Sequence, residues 1–220
     1  MDIKFWIDKW EKNSLGFHQT ETEPLMIKYF TEIRPGVVFV PLCGKSLDMI
    51  WFVEKGWKVI GVEASPIACR SFFEENKIRF EEIKKPDFTL FESKKINILC
   101  GDIFSLPAFE VKEVTAVYDR GALIALPPDK RKKYAEHMIR LLDASTCDQM
   151  RLLLLCLEYP KDAAAGPPFS VMATEINELY GNRFNIRELE RHEEASLSEE
   201  NPKFKDHKVF EVVYWITSKK

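Results

Sequence analysis

The sequence is poor in glycine, and this excludes the commonest phosphate-binding loops. Only 9 of its 220 residues are glycine. Gly44 is the single glycine in the first strand-to-helix turn, so the G-x-G-x-x-G pattern of NAD- and FAD-binding domains is absent. Gly44-Lys45-Ser46 resembles the end of a P-loop, but Phe39 occupies the position of the required first glycine. Dinucleotides, ATP and GTP are therefore disfavoured as ligands.

The chain also lacks a charge excess and a long apolar run. It has 32 basic and 35 acidic residues, a formal net charge of −3, so no global field attracts it to nucleic acid or an anionic membrane. Its longest uncharged apolar run, Leu152 to Leu157, is far shorter than the ~20 residues that span a bilayer. The charged amino terminus is unlike a signal peptide. We expect no nucleic-acid partner, no membrane partner and a cytoplasmic location.

Cysteine usage gives no sign of a metal or disulfide framework. The five cysteines are odd in number and lack C-x-x-C spacing: Cys43, Cys69, Cys100, Cys147 and Cys156. We expect buried free thiols in a reducing compartment. His137 and His192 have no partners at ligand spacing in the sequence, so no metal site is predicted.

Apolar runs of strand length alternate with helical patterns, which predicts right-handed βαβ crossovers. We predict one α/β domain over residues 1–220, with a Rossmann-like, mainly parallel seven-stranded sheet and helices on both faces. The last two strands lack a comparably strong helix between them and can pair antiparallel at an edge. The charged segment 77–95 is predicted to be irregular. Strands are predicted at residues 37–40, 57–62, 96–100, 114–118, 152–157, 184–189 and 209–217.

The amino-terminal segment is predicted to be an amphipathic docking helix. Ile3, Trp6, Ile7 and Trp10 follow helical spacing, and the other faces are charged. Because two tryptophans lie on the same side of this helix, it can pack either on the protein core or on a flat aromatic ligand. The sequence pattern alone does not decide between these alternatives.

Polar residues follow successive strands, where open α/β sheets bind their ligands. Leu42-Cys43-Gly44 leads into a helix for which Ser46 is a good N-cap. Glu63 follows Gly44 by 19 residues, a spacing that suits a ribose-binding acid. Asp102 can accept a hydrogen bond from an adenine amino group, and Asp119-Arg120 ends the next strand. S-adenosylmethionine has no phosphates and tolerates a glycine-poor turn, so it is the favoured cofactor. Each of these acids, taken alone, is explained equally well as a solvated charge in a loop.

Several segments, in order from residue 5 to about residue 171, resemble the thiopurine S-methyltransferase family in a bacterial-type form. The resemblance over the last 45 or so residues is weak. The matching segments are Phe5-Trp6 with Trp10, Gly16-Phe17-His18-Gln19, Val40-Pro41-Leu42-Cys43-Gly44-Lys45-Ser46-Leu47-Asp48-Met49, Gly61-Val62-Glu63, Tyr118-Asp119-Arg120-Gly121-Ala122-Leu123 and Gly166-Pro167-Pro168-Phe169.

The resemblance implies a class I methyltransferase with S-adenosyl-L-methionine as donor. It implies a cover segment over residues 1–35, a cofactor-binding core over 36–160, and a cover loop with the carboxyl-terminal strands over 161–220. Phe17 would bind the substrate, and Arg120 would be catalytic and reach the cofactor's methionine end or the acceptor. The implied cofactor-binding residues are Trp6, Trp10, Leu42, Glu63, Asp102, Ile103 and Arg120.

The family methylates small aromatic and heterocyclic thiols, and some bacterial members are associated with selenium and tellurium compounds. We therefore expect a monomer that acts on a small-molecule thiol or another soft nucleophile. Methyl transfer mainly requires placing the nucleophile in line with the methyl carbon, and a dry pocket favours a transition state with less charge than the reactants. His18 is expected to be structural and not a base. The alternative function is a non-catalytic nucleotide- or S-adenosylmethionine-binding module with a degenerate methyltransferase fold.

Overall fold

The computed structural model describes residues 3–147, 149–160, 163–194, 202–204 and 207–219. The chain divides into two compact units, residues 1–118 with 144–146, and residues 119–143 with 147–220. The first division falls inside a strand, between Tyr118 and Asp119, so each unit is described by itself. The sequence expectation of a single domain with its three segments stays a prediction.

The first unit contains a mixed sheet with helices. Its strands follow the order β3-β4-β5-β2-β1-β6, in which β5, β2, β1 and β6 are parallel and β3-β4-β5 antiparallel. Two 3-10 helices, Ile103–Ser105 and Ala108–Val111, follow β5. The elements are α1 (Ile3–Glu11), α2 (Pro24–Phe30), β1 (Val37–Pro41), α3 (Asp48–Glu54), β2 (Lys58–Glu63), α4 (Pro66–Glu75), β3 (Glu81–Lys84), β4 (Thr89–Glu92), β5 (Ile96–Cys100) and β6 (Ala116–Arg120), whose last two residues belong to the second unit.

Local sequence signals explain two of the helix starts. Ser65 caps α4 by accepting a hydrogen bond from Ala68 N at 3.2 Å, and Pro66 takes the first helical position. The cap predicted at Ser46 makes its hydrogen bond, since Ser46 Oγ accepts from Asp48 N at 3.2 Å, although the helix itself is counted from Asp48, after Leu47. Ser46 Oγ also donates to Asp48 Oδ2 at 2.9 Å. The hydroxyl is thus directed to a buried carboxylate.

Asp48 connects three parts of the first unit. Its side chain is 1% exposed. Oδ1 accepts from Glu23 N at 2.8 Å, where α2 begins, and Oδ2 accepts from the Tyr118 hydroxyl of β6 at 3.0 Å as well as from Ser46. Edge-to-face rings surround this network, with Phe30 and Phe52 packed on each other and both on Tyr118. The carboxylate is therefore satisfied by hydrogen bonds inside an aromatic core.

The second unit contains an antiparallel ribbon, one helix of 16 residues and two shorter helices. Strand β9 pairs with β7 on one side and with β8 on the other, both antiparallel, with a bulge between Glu188 and Glu190 of β8. The predicted antiparallel pairing of the last two strands is confirmed. The elements are α5 (Ala122–Ala125), α6 (Pro128–Asp143), β7 (Arg151–Glu158), α7 (Ala173–Tyr180), β8 (Phe184–Glu193), a 3-10 helix (Pro202–Phe204) and β9 (Phe210–Ser218).

The α/β class with helices and a mixed sheet is confirmed, but the element count differs from the expectation. The described residues contain nine strands, because the segment predicted to be irregular forms the β3-β4 hairpin. Its strand β3 is exposed throughout and carries no apolar periodicity. The short helices α2, α5 and α7 are too brief for a clear helical pattern. Within the described part of the chain, no helix has the length and apolarity needed to cross a membrane.

The Asp48 network predicts a specific loss of stability. Asp48→Ala removes three hydrogen bonds from the interior, and we expect the free energy of unfolding to fall by ~3–5 kcal/mol. Tyr118→Phe removes one of the three and should lower it by only ~1 kcal/mol. Urea unfolding of both variants checks this, and equal losses would show that Asp48 acts through Tyr118 alone.

Candidate active site

The turn after β1 has a left-handed backbone on both sides of Cys43. Leu42 has φ 46° and Gly44 has φ 51°, and a left-handed leucine carries a strain of ~1–2 kcal/mol. Cys43 N donates to Val62 O at 3.0 Å, which fixes the turn against β2. A Cβ atom at Gly44 would lie 3.2 Å from Cζ2 of Trp10. The turn therefore needs glycine for its backbone and for the approach of the Trp10 ring.

Glu63 lies beside this turn, as the sequence predicts. It ends β2 and is 6% exposed. Oε2 accepts a hydrogen bond from Gly44 N at 2.9 Å, and Oε1 accepts from Ser65 N at 2.8 Å. Burial raises the pKa of the carboxyl group, and the backbone N–H groups of Ser65, Gly44 and Ala64 oppose that rise. Each oxygen retains capacity to accept a second hydrogen bond, so the carboxylate can also hold hydroxyl groups.

Asp102 and Ile103 lie one strand away from Glu63. Glu63 pairs with Cys100 across the parallel β2-β5 ladder, and Gly101 N donates to Glu63 O at 2.9 Å. Asp102 is half-buried, and its Oδ1 accepts from Phe104 N at 3.0 Å, so it caps the 3-10 helix that Ile103 begins. Ile103 is buried. The structure thus brings together the acids predicted for the ribose and the adenine.

Four aromatic side chains, Phe5, Trp6, Trp10 and Phe17, form a cluster that we call the aromatic cap. Phe17 packs edge-to-face on Trp6 and on Trp10, with ring centroids 5.4 and 5.5 Å apart, and Phe5 packs on Trp6 at 5.3 Å. Trp10 is 6% exposed and Phe17 is 44% exposed. Because Trp10 also contacts Gly44, α1 lies on the turn and not only on the core. The predicted stripe is buried at Trp10 alone, and Ile3 is exposed.

Arg120 and Asp119 end β6 and belong to the second unit. Arg120 is half-buried. Asp119 is fully buried, and its Oδ2 accepts from the Tyr134 hydroxyl at 2.7 Å, while Oδ1 accepts from Ala122 N and Leu123 N at 3.2 Å each. Burial raises the pKa of Asp119 to about 6, against the effect of these hydrogen bonds. Tyr134 is fully buried, and its hydrogen bond to Asp119, 15 residues away, has no signal in the sequence.

The segment 166–169, predicted as a cover loop, is held within the second unit by groups that the sequence did not single out. Phe169 N donates to Ile124 O at 2.7 Å, and the Arg131 guanidinium lies over the Phe169 ring. Arg131 is 1% exposed and pairs with Glu175, with Nη1 2.8 Å from both carboxylate oxygens. A cavity of about 820 Å³ has walls from α6 and α7 and from Phe169. A buried arginine within the run Lys130 to Lys133 looks like a solvated charge in the sequence.

One expectation about histidine is wrong. His192 does have acidic partners at ligand spacing, since its Nε2 lies 3.3 Å from Glu211 Oε2 and 3.7 Å from Glu194 Oε2. Glu211 faces His192 across the β8-β9 pair, a long-range contact that sequence spacing cannot show. The three side chains are only partly buried, and acidic groups near the surface often lie together without an ion, so we assign no metal to them.

Comparison with known proteins identifies close relatives. The family model described as thiopurine S-methyltransferase matches residues 1–219. The chain is 41% identical over 207 residues to the thiopurine S-methyltransferase of Nitrosospira multiformis, covering 93% of this chain and 91% of that one. It is 39% identical over 212 residues to the thiopurine S-methyltransferase of Xanthomonas axonopodis, covering 95% and 94%.

A solved structure supports the fold. The Burkholderia thailandensis 1,6-didemethyltoxoflavin-N1-methyltransferase, crystallised with 1,6-didemethyltoxoflavin and S-adenosylhomocysteine, has a TM-score of 0.62 to this chain at 13% identity. The alignment covers 99% of this chain and 87% of that one. At this identity the likeness shows the fold alone.

Glu63 is predicted to carry much of the cofactor affinity. Glu63→Ala removes charged hydrogen bonds worth ~1.5–3 kcal/mol each, so we expect at least a tenfold (~1.4 kcal/mol) loss of S-adenosylhomocysteine affinity by calorimetry. Glu75→Ala is the matched control, because it removes the Lys45–Glu75 ion pair of the same unit without changing a predicted contact. Unchanged affinity of the Glu63 variant in a folded protein would refute its assignment.

Asp119 is predicted to make stability depend on pH. Its pKa of about 6 in the folded protein lies above the ordinary 3.8, so the folded state holds the proton more tightly. The protonated carboxyl group thereby adds to the free energy of unfolding. This stabilisation is fully present below pH ~4 and is lost as pH rises through ~6. Burial also raises the pKa values of the neighbouring Tyr134, Tyr180 and Cys156. These groups therefore titrate well above the pH range in which Asp119 does.

Asp119→Asn removes that titration and keeps an acceptor oxygen. From about pH 4.5 to about pH 7, the unfolding free energy of the variant should rise relative to the unmodified protein by ~2 kcal/mol. Urea unfolding at a series of pH values measures the difference, and a difference independent of pH would contradict the prediction.

Proposed function

The chain belongs to the thiopurine S-methyltransferase family and is an S-adenosylmethionine-dependent methyltransferase, and we propose that its acceptor is a small aromatic or heterocyclic thiol, methylated on sulfur. The aromatic cap carries this proposal. Trp10 lies on the turn that follows β1, and the exposed ring of Phe17 is held by Trp6 and Trp10. An aromatic surface at this point suits a flat, apolar acceptor and not a hydrated one.

We propose that the cofactor is held by the first unit. Glu63 would accept hydrogen bonds from the ribose hydroxyls, and Asp102 with Ile103 would flank the adenine. The backbone at Leu42 would hold the methionine part, and Trp6 and Trp10 would line its side. The fit rests on the buried carboxylate of Glu63, which keeps acceptor capacity beside a turn whose backbone is already fixed.

The bound cofactor supplies an electrophilic methyl group on a sulfonium. The protein's own contribution is to place and desolvate the nucleophile. The rings of the aromatic cap exclude water, and an aromatic face also attracts a cation. Phe17, on the exposed side of the cap, would contact the acceptor ring. Since heterocyclic thiols ionise near neutral pH, the acceptor needs no strong base from the protein, and the structural role expected for His18 agrees with this.

Arg120 is proposed as the residue that binds and orients the acceptor thiolate or the carboxylate of the cofactor. Its guanidinium is permanently charged and more weakly hydrated than an ammonium group, so it can serve in a dry pocket. An opposite charge favours the thiolate form. It also stabilises the reactant more than a transition state with less charge, so its main effect should be on KM. Selenols are proposed as further acceptors, because they are soft nucleophiles of the same shape.

Paired acceptors test the nature of the nucleophile. Arylthiols and phenols with the same ring substituents are compared at a pH at which both are ionised, with formation of S-adenosylhomocysteine as the readout. We expect turnover of the thiols, of the matched selenols at comparable rates, and at least ~100-fold less turnover of the phenols, because a hydrated oxygen anion is poorly desolvated by an aromatic pocket. Turnover confined to oxygen or nitrogen nucleophiles would refute the proposal.

A further inference from the structure

Asp119 and Tyr134 form a buried hydrogen-bonded pair directly beside Arg120. The Tyr134 hydroxyl donates to Asp119 Oδ2 at 2.7 Å, and both side chains are 0% exposed. Tyr134 comes from the middle of α6, a helix of 16 residues whose buried face is part of the core of the second unit. A pair without solvent access does not touch a substrate, so any effect on the reaction must pass through another residue.

The other oxygen of Asp119 closes the turn that contains Arg120. Oδ1 accepts from Ala122 N and Leu123 N, the first amides of α5. The Asp119 carboxylate therefore spans Arg120 and Gly121, the two residues between Asp119 and Ala122. Gly121 has a left-handed backbone, with φ 91°. Because an amide pair and a hydroxyl hold both oxygens, the Asp119 side chain has little freedom to rotate.

The bridge fixes the backbone from which the Arg120 side chain leaves. Neighbouring side chains of a strand point to opposite faces, and here Asp119 is fully buried and Arg120 half-buried. Rotation of the Asp119 carboxylate would move the backbone from which the Arg120 side chain leaves. We propose that Tyr134, through Asp119, is a positioning residue that sets the orientation of Arg120 for methyl transfer; this inference rests on the role proposed for Arg120 above.

A purely stabilising hydrogen bond is the competing explanation, and the second unit offers a matched control for it. Tyr180 of α7 is also 0% exposed, and its hydroxyl has no hydrogen-bond partner among the described residues. Tyr180→Phe therefore makes the same chemical change as Tyr134→Phe, in an equally buried place, without removing a bond to Asp119.

A double-mutant cycle tests the proposal. KM and kcat for one arylthiol are measured for Tyr134→Phe, Arg120→Ala, the double variant and Tyr180→Phe. We expect Tyr134→Phe to raise KM at least about fivefold, and to change kcat less, as Arg120→Ala does. In a protein that already carries Arg120→Ala, Tyr134→Phe should change KM less than about twofold, because the residue through which Tyr134 acts is no longer there. Tyr180→Phe should change neither parameter more than about twofold.

Two results would overturn the proposal. One is an equal effect of Tyr134→Phe with and without Arg120, and the other is an effect no larger than that of Tyr180→Phe. If Arg120→Ala leaves KM and kcat unchanged, the role proposed for Arg120 fails. If Arg120→Ala impairs the reaction but Tyr134→Phe does not, only the positioning role of Tyr134 fails. Thermal unfolding is measured first; if Tyr134→Phe is unfolded at the assay temperature, Asp119→Asn replaces it, because Asn keeps the size and an acceptor for the α5 amides.

Discussion

The candidate site depends on the hydrogen bond between Gly44 N and the Glu63 carboxylate. It joins the turn after β1 to the end of β2 at a distance of 2.9 Å, and the parallel register of the two strands places these ends side by side. Without it, the left-handed turn with strain at Leu42 would be tied to β2 only by the bond from Cys43 N to Val62 O, and closed locally by the bond from Ser46 N to Cys43 O. The buried acid is thus part of the scaffold before it is part of any cofactor contact.

The acids at two other strand ends also hold the backbone in place. Asp102 caps a 3-10 helix, and Asp119 accepts hydrogen bonds from the first two amides of α5. Each acid satisfies backbone N–H groups where a strand ends and a helical turn begins. A carboxylate fixed in this way is preorganised, so its remaining acceptor capacity can be used without further ordering of the side chain. Structural and functional roles are therefore combined in one residue and not assigned to separate ones.

The sequence predicted those features that depend on neighbours in the chain. Ser65-Pro66 begins α4 because a cap and a first-turn proline act locally, and the spacing from Gly44 to Glu63 reflects one helix, α3, and one strand, β2. The family resemblance added the roles of Arg120 and Phe17, which no spacing rule supplies and which stay proposals.

What the sequence could not predict depends on contacts between distant segments. The burial of Asp48 follows from Glu23 and Tyr118, 25 and 70 residues away, and that of Arg131 from Glu175, 44 residues away. The hairpin β3-β4 has an exposed, charged strand whose pairing comes from its partner and not from its own apolar pattern. His192 meets Glu211 only because β8 and β9 pair.

Helix α1 has one buried side chain, Trp10, and that side chain lies on Gly44. A nine-residue helix is too short to be stable in water by itself, so its order depends on the docking of Trp10 on the turn, the packing of Trp6 on Phe17 and the contacts of α1 with α4. Such a segment belongs to the low-stability end of the native ensemble and can detach without unfolding the sheet. Each local opening of α1 would uncover the Gly44 turn, so the segment that shields this turn is also the one whose release exposes it to solvent.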